Sequence, residues 1–509
     1  MFEYEGRREE PVASPGFVAW MDTRLELNCP TTTAQSAALL ESIEAAGRVH
    51  NRAAAAQLAA IAQLFAYRLA RCGDTHDWVA DVEEAVAGEV AAALRISQGL
   101  AASKVRYARA MRERLPQVGA VFRAGDIDFT FFTMVVYRTD LITDDDLLAQ
   151  VDHQLAANVA RWPSMTRARL SGKIDAIVAR ADRDAVRRRA QQQADREVWI
   201  GPSQDGTCEI GGNIFTVDAQ ALDQRLNKLA ATVCRADPRT AAQRRADALG
   251  ALAAGADRLG CRCEQRDCPA GTTKPASPVV IHVIAEQATV TGTGQAPGSL
   301  VGADGLIPPE VIAELARSAK LVPLIHPGDA PPEPGYVPSK ALADFVRCRD
   351  LTCRWPGCDQ AAVRCQLDHT IPYAQGGATH ASNLKCYCIV HHLLKTFWGW
   401  TEKQLPDGTL ILTSPAGQTY VTTPGSALLF PSLCHAVSPI ATPEIDLFPE
   451  GYCGERTAMM PRRRRTRSQD RAYRVATERR RNRQTRQARQ RAPVNATGPA
   501  PPDDEPPPF

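Results

Sequence analysis

Cys353-Arg354-Trp355-Pro356-Gly357-Cys358, Asp368-His369, Gly376-Gly377, Asn383-Leu384 and Cys388-Ile389-Val390-His391-His392 follow one another within residues 353–392. Four of the chain's ten histidines and five of its fifteen cysteines fall in this window. Clustered Cys beside His reads first as metal binding. Two ligand patterns interlock here. One is soft and fits a closed zinc site. The other is an Asp-His, Asn, His set able to hold a second metal.

Structural zinc takes four soft or borderline ligands in a tetrahedron. Cys353 and Cys358 flank a Pro-Gly turn that lets the chain reverse, so both sulfurs can face one point. Cys388 and His391 are three residues apart, which puts both on one face of a first helical turn. Together they form a Cys3His set. Cys348, Cys365 and Cys386 are spare candidates, and Cys386 could replace Cys388 at a less usual spacing to His391.

Asp368-His369 closes an alternating run, Val363-Arg364-Cys365-Gln366-Leu367, that reads as a strand. A loop with Gly376-Gly377, a second short strand from Asn383-Leu384 and a helix from about Cys388 to Phe397 follow. Strand, loop, strand and helix make a ββα-metal shape.

In this order the residues resemble the HNH endonuclease family. His391 stands where the commonest zinc-bearing version has a fourth Cys, and it remains a valid zinc ligand. Lys395-Thr396-Phe397-Trp398-Gly399-Trp400, Leu405-Pro406-Asp407-Gly408-Thr409 and Pro424-Gly425-Ser426-Ala427-Leu428-Leu429-Phe430-Pro431 are similar to the mycobacterial "thirteen-E-twelve" repeat proteins. That likeness spans nearly the whole chain. It implies an N-terminal helical domain of unknown function joined to a C-terminal HNH domain.

The resemblance implies roles by position. Asp368 and His392 bind a catalytic Mg²⁺ or Mn²⁺, His369 is the general base, and Asn383 orients the loop and His369. A carboxylate with a neutral imidazole leaves metal positions open for phosphate and water. A histidine titrating near neutrality can take a proton from attacking water. The implied partner is DNA and the implied reaction is phosphodiester hydrolysis. Lys395 is a candidate phosphate contact, although a lysine at a helix end also favours the dipole. Trp398 and Trp400 are expected to fill the domain core. Two other readings stay open: a zinc-stabilised nucleic-acid-binding protein with an inactive HNH module, and a helical interaction protein with a vestigial one.

Working outward, six prolines between Pro323 and Pro338 predict a linker. The zinc-binding domain then covers 339–424, with a short extension over 425–460. Upstream, 1–32 is irregular, with Pro11, Pro15 and Pro30. Residues 33–322 read as mainly helical, from Ala and Leu recurring at three- and four-residue spacings. Two helices between about Val82 and Leu115 meet at Ile96-Ser97-Gln98-Gly99, and the second carries Lys104, Arg106 and Arg109. That is either a helical hairpin with a solvated basic face or a helix-turn-helix. A β-hairpin is expected over Cys208–Val217, and a buried strand over Val279–Ile284. Cys261, Cys263 and Cys268 could hold a metal but lack a nearby fourth ligand; His282 is one candidate. The fold class expected is therefore a mainly α N-terminal domain with a small β element, then an α+β domain, then a disordered basic tail.

The net charge of +3 hides an asymmetry. Residues 461–491 hold fourteen Arg against Asp470 and Glu478, or +12, and 492–509 carry three acids. Residues 1–460 are then −6 by difference. Phosphate attraction should concentrate in the tail, beginning at Arg462, Arg463, Arg464 and Arg465. The alternative is a solubilising tail. No basic segment followed by an apolar run opens the chain, and no apolar run reaches membrane-spanning length, so a cytoplasmic protein without membrane contact is expected.

Overall fold

The computed structural model describes residues 16, 19–20, 34–162, 165–186, 197–204, 207–263, 265, 267–268, 270, 282–301, 306–317, 319–438, 440 and 459–491. The irregular segment 1–32 lies almost wholly outside this range, as do 279–281 of the expected strand and the Pro-rich end 492–509.

Among the described residues from Ala34 to Ala181, seven α-helices follow one another: α1 Ala34–Leu69, α2 Val82–Leu94, α3 Gln98–Arg109, α4 Pro116–Ala124, α5 Phe129–Thr139, α6 Asp145–Val159 and α7 Arg167–Ala181. Their starts are written locally. Asp81, Ser97, Asp128, Asp144 and Thr166 each accept the backbone N–H three residues on, which satisfies donors that a helix start leaves open. A hairpin, β1 Glu197–Gln204 and β2 Thr207–Asn213, and a helix pair, α8 Thr216–Ala230 and α9 Ala241–Ala253, follow. Next come β3 Val283–Ile284, α10 Gln287–Val290, β4 Gly298–Leu300, β5 Leu306–Ile307 and α11 Pro309–Ala316.

The C-terminal part holds α12 Lys340–Asp350, β6 Gln366–His369, β7 Leu384–Tyr387, α13 Ile389–Phe397, β8 Thr401–Gln404, β9 Leu410–Thr413 and β10 Thr419–Thr422. β6 and β7 are antiparallel, with His369 opposite Leu384 and Asp368 opposite Lys385. β8, β9 and β10 form a meander. The first half is thus mainly helical, and small sheets dominate the later part.

Two large cores meet along α2. Val82, Val86 and Val90 enter a helical core with Leu58, Val105, Phe122, Phe132, Leu155 and Ile174. Ala85 and Ala92 enter a second core with Phe345, Trp355, Tyr387, Leu394 and Trp400. The Ala/Gly-rich sequence of α2 permits this double burial. A Cβ on Gly88 would sit 2.6 Å from Leu394 Cδ1. Trp400 fills the second core as expected, and Trp398 packs against both cores and donates from Nε1 to Ala80 O at 2.9 Å.

The α2–α3 pair is a buried hairpin. Ala101, Val105 and Ala108 face the core, and Lys104 and Arg109 bond Gln57 and Glu83. The proline run does not hang free. Glu333 N–H donates to Thr379 O at 2.9 Å, and Ser438 N–H to Gly328 O at 3.2 Å.

The basic tail differs from expectation. Arg467–Arg491 is a helix, α14, rather than disordered chain. The acids that hold it lie in the helical half. Arg467 pairs with Asp81 and Glu84, Arg471 with Asp140, Arg479 with Asp182, and Arg483 and Arg486 with Asp184. Val475 is buried in the helical core. Tertiary charge pairing overrides a composition that alone would favour a solvated coil.

A candidate metal centre beside a carboxylate–histidine pair

The Cys353–Cys358 knuckle is fixed from beneath. Asp350 is fully buried at the end of α12 and accepts from Arg349 Nε at 2.9 Å, Arg354 Nη1 at 3.2 Å and Cys386 N–H at 2.8 Å. Burial would push its carboxyl up, but Arg349 and Arg354 outweigh that and hold it below the usual range. Arg349 also donates to Ala381 O and Leu384 O. The knuckle is thereby tied to β7.

Cys353, Cys358, Cys388 and His391 come together, with one ligand atom from each within 4.8 Å of every other. Cys388 N–H donates to Cys353 Sγ at 3.3 Å. His391 Nδ1 lies 3.4 Å from Cys353 Sγ and 3.2 Å from Cys388 Sγ. Its ring stacks on buried Trp355 at 4.7 Å, and its Nε2 faces Gln98 Oε1 of α3 at 3.4 Å. Zn–S bonds of about 2.3 Å in a tetrahedron give edges of about 3.8 Å, so the donor set fits a structural zinc. Burial raises the Cys353 thiol. The neighbouring Cys353 and Cys388 raise Cys358, and hydrogen bonds from Cys353 and Cys358 hold Cys388 down. The spare candidates fall outside this four-ligand group: Cys386 is wholly buried with Sγ toward Val346 O, and Cys365 Sγ faces Gln360 O.

His392, the next residue, turns the other way. Its Nε2 lies 3.2 Å from Asp368 Oδ1, and its Nδ1 is 2.6 Å from Gln366 Oε1. As an imidazolium the ring would donate to both oxygens, and as a neutral ring with Nδ1–H on the amide oxygen it would leave Nε2 free to share a cation with Asp368. An octahedral ion with bonds of about 2.1 Å has neighbouring ligands about 3.0 Å apart, so the pair fits as two ligands.

Asp368 is also held by lysines. Lys385 Nζ lies 2.7 Å from Oδ2, and Lys395 Nζ 3.0 Å. Both ammoniums reach Glu402, at 2.5 Å and 3.3 Å. Burial would raise the Asp368 carboxyl, but Lys385, Lys395 and His392 draw it well below the ordinary range. Lys395 is itself mostly buried and donates to His369 O at 2.6 Å. Its ammonium faces the protein interior. Burial lowers it, while Glu402 and Asp368 outweigh that and raise it.

His369 is buried, with Nε2 2.9 Å from Thr379 Oγ1. Tyr336 of the proline run lies over its ring at 5.3 Å and 17°. Burial lowers its pKa, which favours the neutral imidazole. Asn383 joins the β6–β7 loop ends: its Oδ1 accepts Ile371 N–H at 2.8 Å, and its Nδ2 donates to Ile371 O and Ala378 O. Gly377 has no room for a Cβ, which would sit 1.9 Å from Ile371 O.

The four basic residues at the tail's start divide. Arg462 pairs with Asp77 at 2.8 Å, and Arg463 donates to Trp78 O and Val79 O. Arg464 is exposed, and the Arg465 guanidinium lies 4.8 Å over the Tyr473 ring. Sequence reasoning missed Glu402, Lys385, Thr379 and Tyr336. Lys385 is the cross-strand partner of Asp368, a pairing that only the alternation around β7 could have signalled.

A family model, "Domain of unknown function (DUF222)", matches residues 45–350. The chain belongs to the DUF222 family. The match ends at Asp350, three residues before the Cys353 knuckle. Uncharacterized protein Rv3776 of Mycobacterium tuberculosis is 43% identical over 473 residues, covering 88% of this chain and 90% of the relative. Uncharacterized protein Rv2100 of the same organism is 40% identical over 502 residues, covering 89% and 90%. No solved structure matches. Among the described residues, no helix is long and apolar enough to cross a membrane.

Proposed function

We propose that this DUF222 chain is a zinc-stapled HNH-type endonuclease that hydrolyses DNA phosphodiester bonds with a divalent metal. One observation carries the reading: adjacent His391 and His392 serve two donor sets, one of soft sulfurs and one around the Asp368 carboxylate. A divalent ion at Asp368 and His392 would supply Lewis-acid stabilisation of charge on the phosphate and the leaving 3′ oxygen. His369, neutral through burial, would accept the proton of the attacking water. Thr379 holds the His369 ring, and Asn383 holds the loop that follows it. Lys385 and Lys395 keep Asp368 ionised and oriented. Exposed Arg464 would add phosphate contact that weakens with salt. The products expected are 5′-phosphate and 3′-hydroxyl ends.

The same lysines favour a second reading. They neutralise Asp368 without a metal, and Tyr336 covers His369. A zinc-stabilised module that binds nucleic acid without cutting is consistent with both. The test is supercoiled plasmid with Mg²⁺ or Mn²⁺, wild type beside His369→Ala. Cleavage by wild type alone supports the nuclease. Equal cleavage by both removes His369 as base, and retention of DNA without cleavage under either metal supports the binding module.

A further inference from the structure

The fourth partner for Cys261, Cys263 and Cys268 is Cys234, which lies just beyond the end of α8 and outside the cluster's sequence neighbourhood. One sulfur from each of Cys234, Cys261, Cys263 and Cys268 lies within 4.8 Å of every other, and Cys234 and Cys261 Sγ are 3.5 Å apart. His282, the other sequence candidate, is exposed and outside the group. We propose that these four cysteines form a second structural zinc site, inside the DUF222 region and separate from the Cys3His group.

Two further observations point the same way. First, the loops bearing the sulfurs are fixed independently of them. Arg239 donates to Asp237 at 2.7 Å, to Asp247 at 2.6 Å and to Gly260 O at 2.7 Å. Asp237 Oδ2 also accepts Arg262 N–H at 2.9 Å, and Thr232 Oγ1 accepts Leu259 N–H at 2.8 Å. The ends of α8 and of the loop after α9 are therefore held together where the cysteines converge. Such pre-positioning is what a metal site needs beyond ligand count.

Second, among the described residues the α8–α9 unit has only a small apolar core. Its buried apolar residues form two small groups, Leu226, Leu229 and Ala248, and Ala251, Ala256 and Leu259. Neither joins the two large cores. A unit with so small a core usually relies on a metal or disulfides. The 3.5 Å separation of Cys234 and Cys261 exceeds a bonded S–S distance of about 2.05 Å. It is close to the tetrahedral edge of about 3.8 Å expected for zinc thiolates. Four thiolates around one tetrahedral centre select zinc among common divalent ions. Four thiolates and Zn²⁺ sum to −2, and Arg235 and Arg262 adjoin three of the ligands in sequence.

The experiment is elemental analysis of the full chain, purified without a chelating matrix. Two zinc ions per chain are expected. Cys261→Ser with Cys263→Ser should reduce this to one, as should Cys353→Ser with Cys358→Ser. Cys234→His, which keeps a ligand, should retain two. The wild-type chain refolded with Co²⁺ gives a readout that does not depend on variants folding: its thiolate-to-cobalt absorption should correspond to seven thiolates rather than three. A single zinc in wild type that survives Cys261→Ser with Cys263→Ser would overturn the proposal. So would intact mass under non-reducing conditions showing these cysteines joined as disulfides.

Discussion

The Tyr336 ring lies nearly parallel to the His369 ring, with centroids 5.3 Å apart, although the two residues belong to different segments. A proline-rich run reads as a spacer, yet here it lays an aromatic cover on the histidine that ends β6. Burial is the leading cause that lowers the His369 pKa, and Tyr336 covers one face of that ring.

Tyr336→Ala should therefore raise the His369 pKa toward its ordinary value near 6.5, while Tyr336→Phe should leave it low. NMR titration of the imidazole measures both. The sign follows from linkage. A histidine with a folded pKa below its unfolded value contributes stability that is complete above about pH 6.5 and lost as pH falls through the folded value. Tyr336→Ala should flatten that acid-side loss and remove an aromatic contact of about 0.5–1.5 kcal/mol. An unchanged titration in Tyr336→Ala would show that the cover does not control the ring.

His391 and His392 should separate stability from chemistry. His391→Ala removes a ligand from the buried Cys3His group and the stack on Trp355. It should lose one zinc and lower the melting temperature by several degrees. His392→Ala removes a half-exposed ring facing Asp368 and should keep both zinc content and fold. Under the nuclease reading it should lose at least about 100-fold in plasmid cleavage. Zinc loss in His392→Ala with retention in His391→Ala would exchange their assignments.

Particular residues show what could be read from sequence alone. Helical periodicity was legible in the first half because Ala and Leu recur on one face with local caps such as Asp81 and Asp128. The grouping of Cys353, Cys358, Cys388 and His391 was legible because each pair is local and only one closure was needed. Cys234 was not, since its partners begin 27 residues later and only the α8–α9 turn-back brings them close. Glu402 was not, because its role depends on a strand following α13 and running beneath two buried lysines. The tail failed for a similar reason. The sequence of 467–491 carries no amphipathic pattern, and the acids that order it are 297 to 386 residues away.

The tail helix should consequently respond to salt and acid. Burial pushes the Asp184 carboxyl up, but Arg483, Arg486 and Arg479 outweigh it and hold it below the ordinary range. With the folded pKa below the unfolded one, its contribution is complete above about pH 4 and lost as pH falls through the folded value. Asp184→Asn should speed tryptic cleavage within α14 at neutral pH, and high salt should act on wild type in the same direction. Cleavage that ignores both would mean the arginine pairs do not hold the helix.

Gly357 offers a test of how the knuckle is joined to the helical half. It adopts φ +74°, a left-handed conformation that costs a residue with a Cβ about 1–2 kcal/mol. The Cβ would also sit 2.6 Å from Ile96 O, a backbone atom in the α2–α3 turn that cannot rotate away. Gly357→Ala should then cost at least about 2 kcal/mol in denaturant unfolding, with Cys353 and Cys358 both intact. Gly172→Ala is the matched control. It lies exposed within α7 with nothing within 4 Å of the added carbon, and should gain up to about 1 kcal/mol from helix propensity. If Gly357→Ala were neutral, the knuckle would have to be free to move away from Ile96, and the shared core along α2 would not bind the two halves as described. A loss in Gly357→Ala together with reduced zinc content would instead show that the contact with Ile96 positions the ligands as well as the interface.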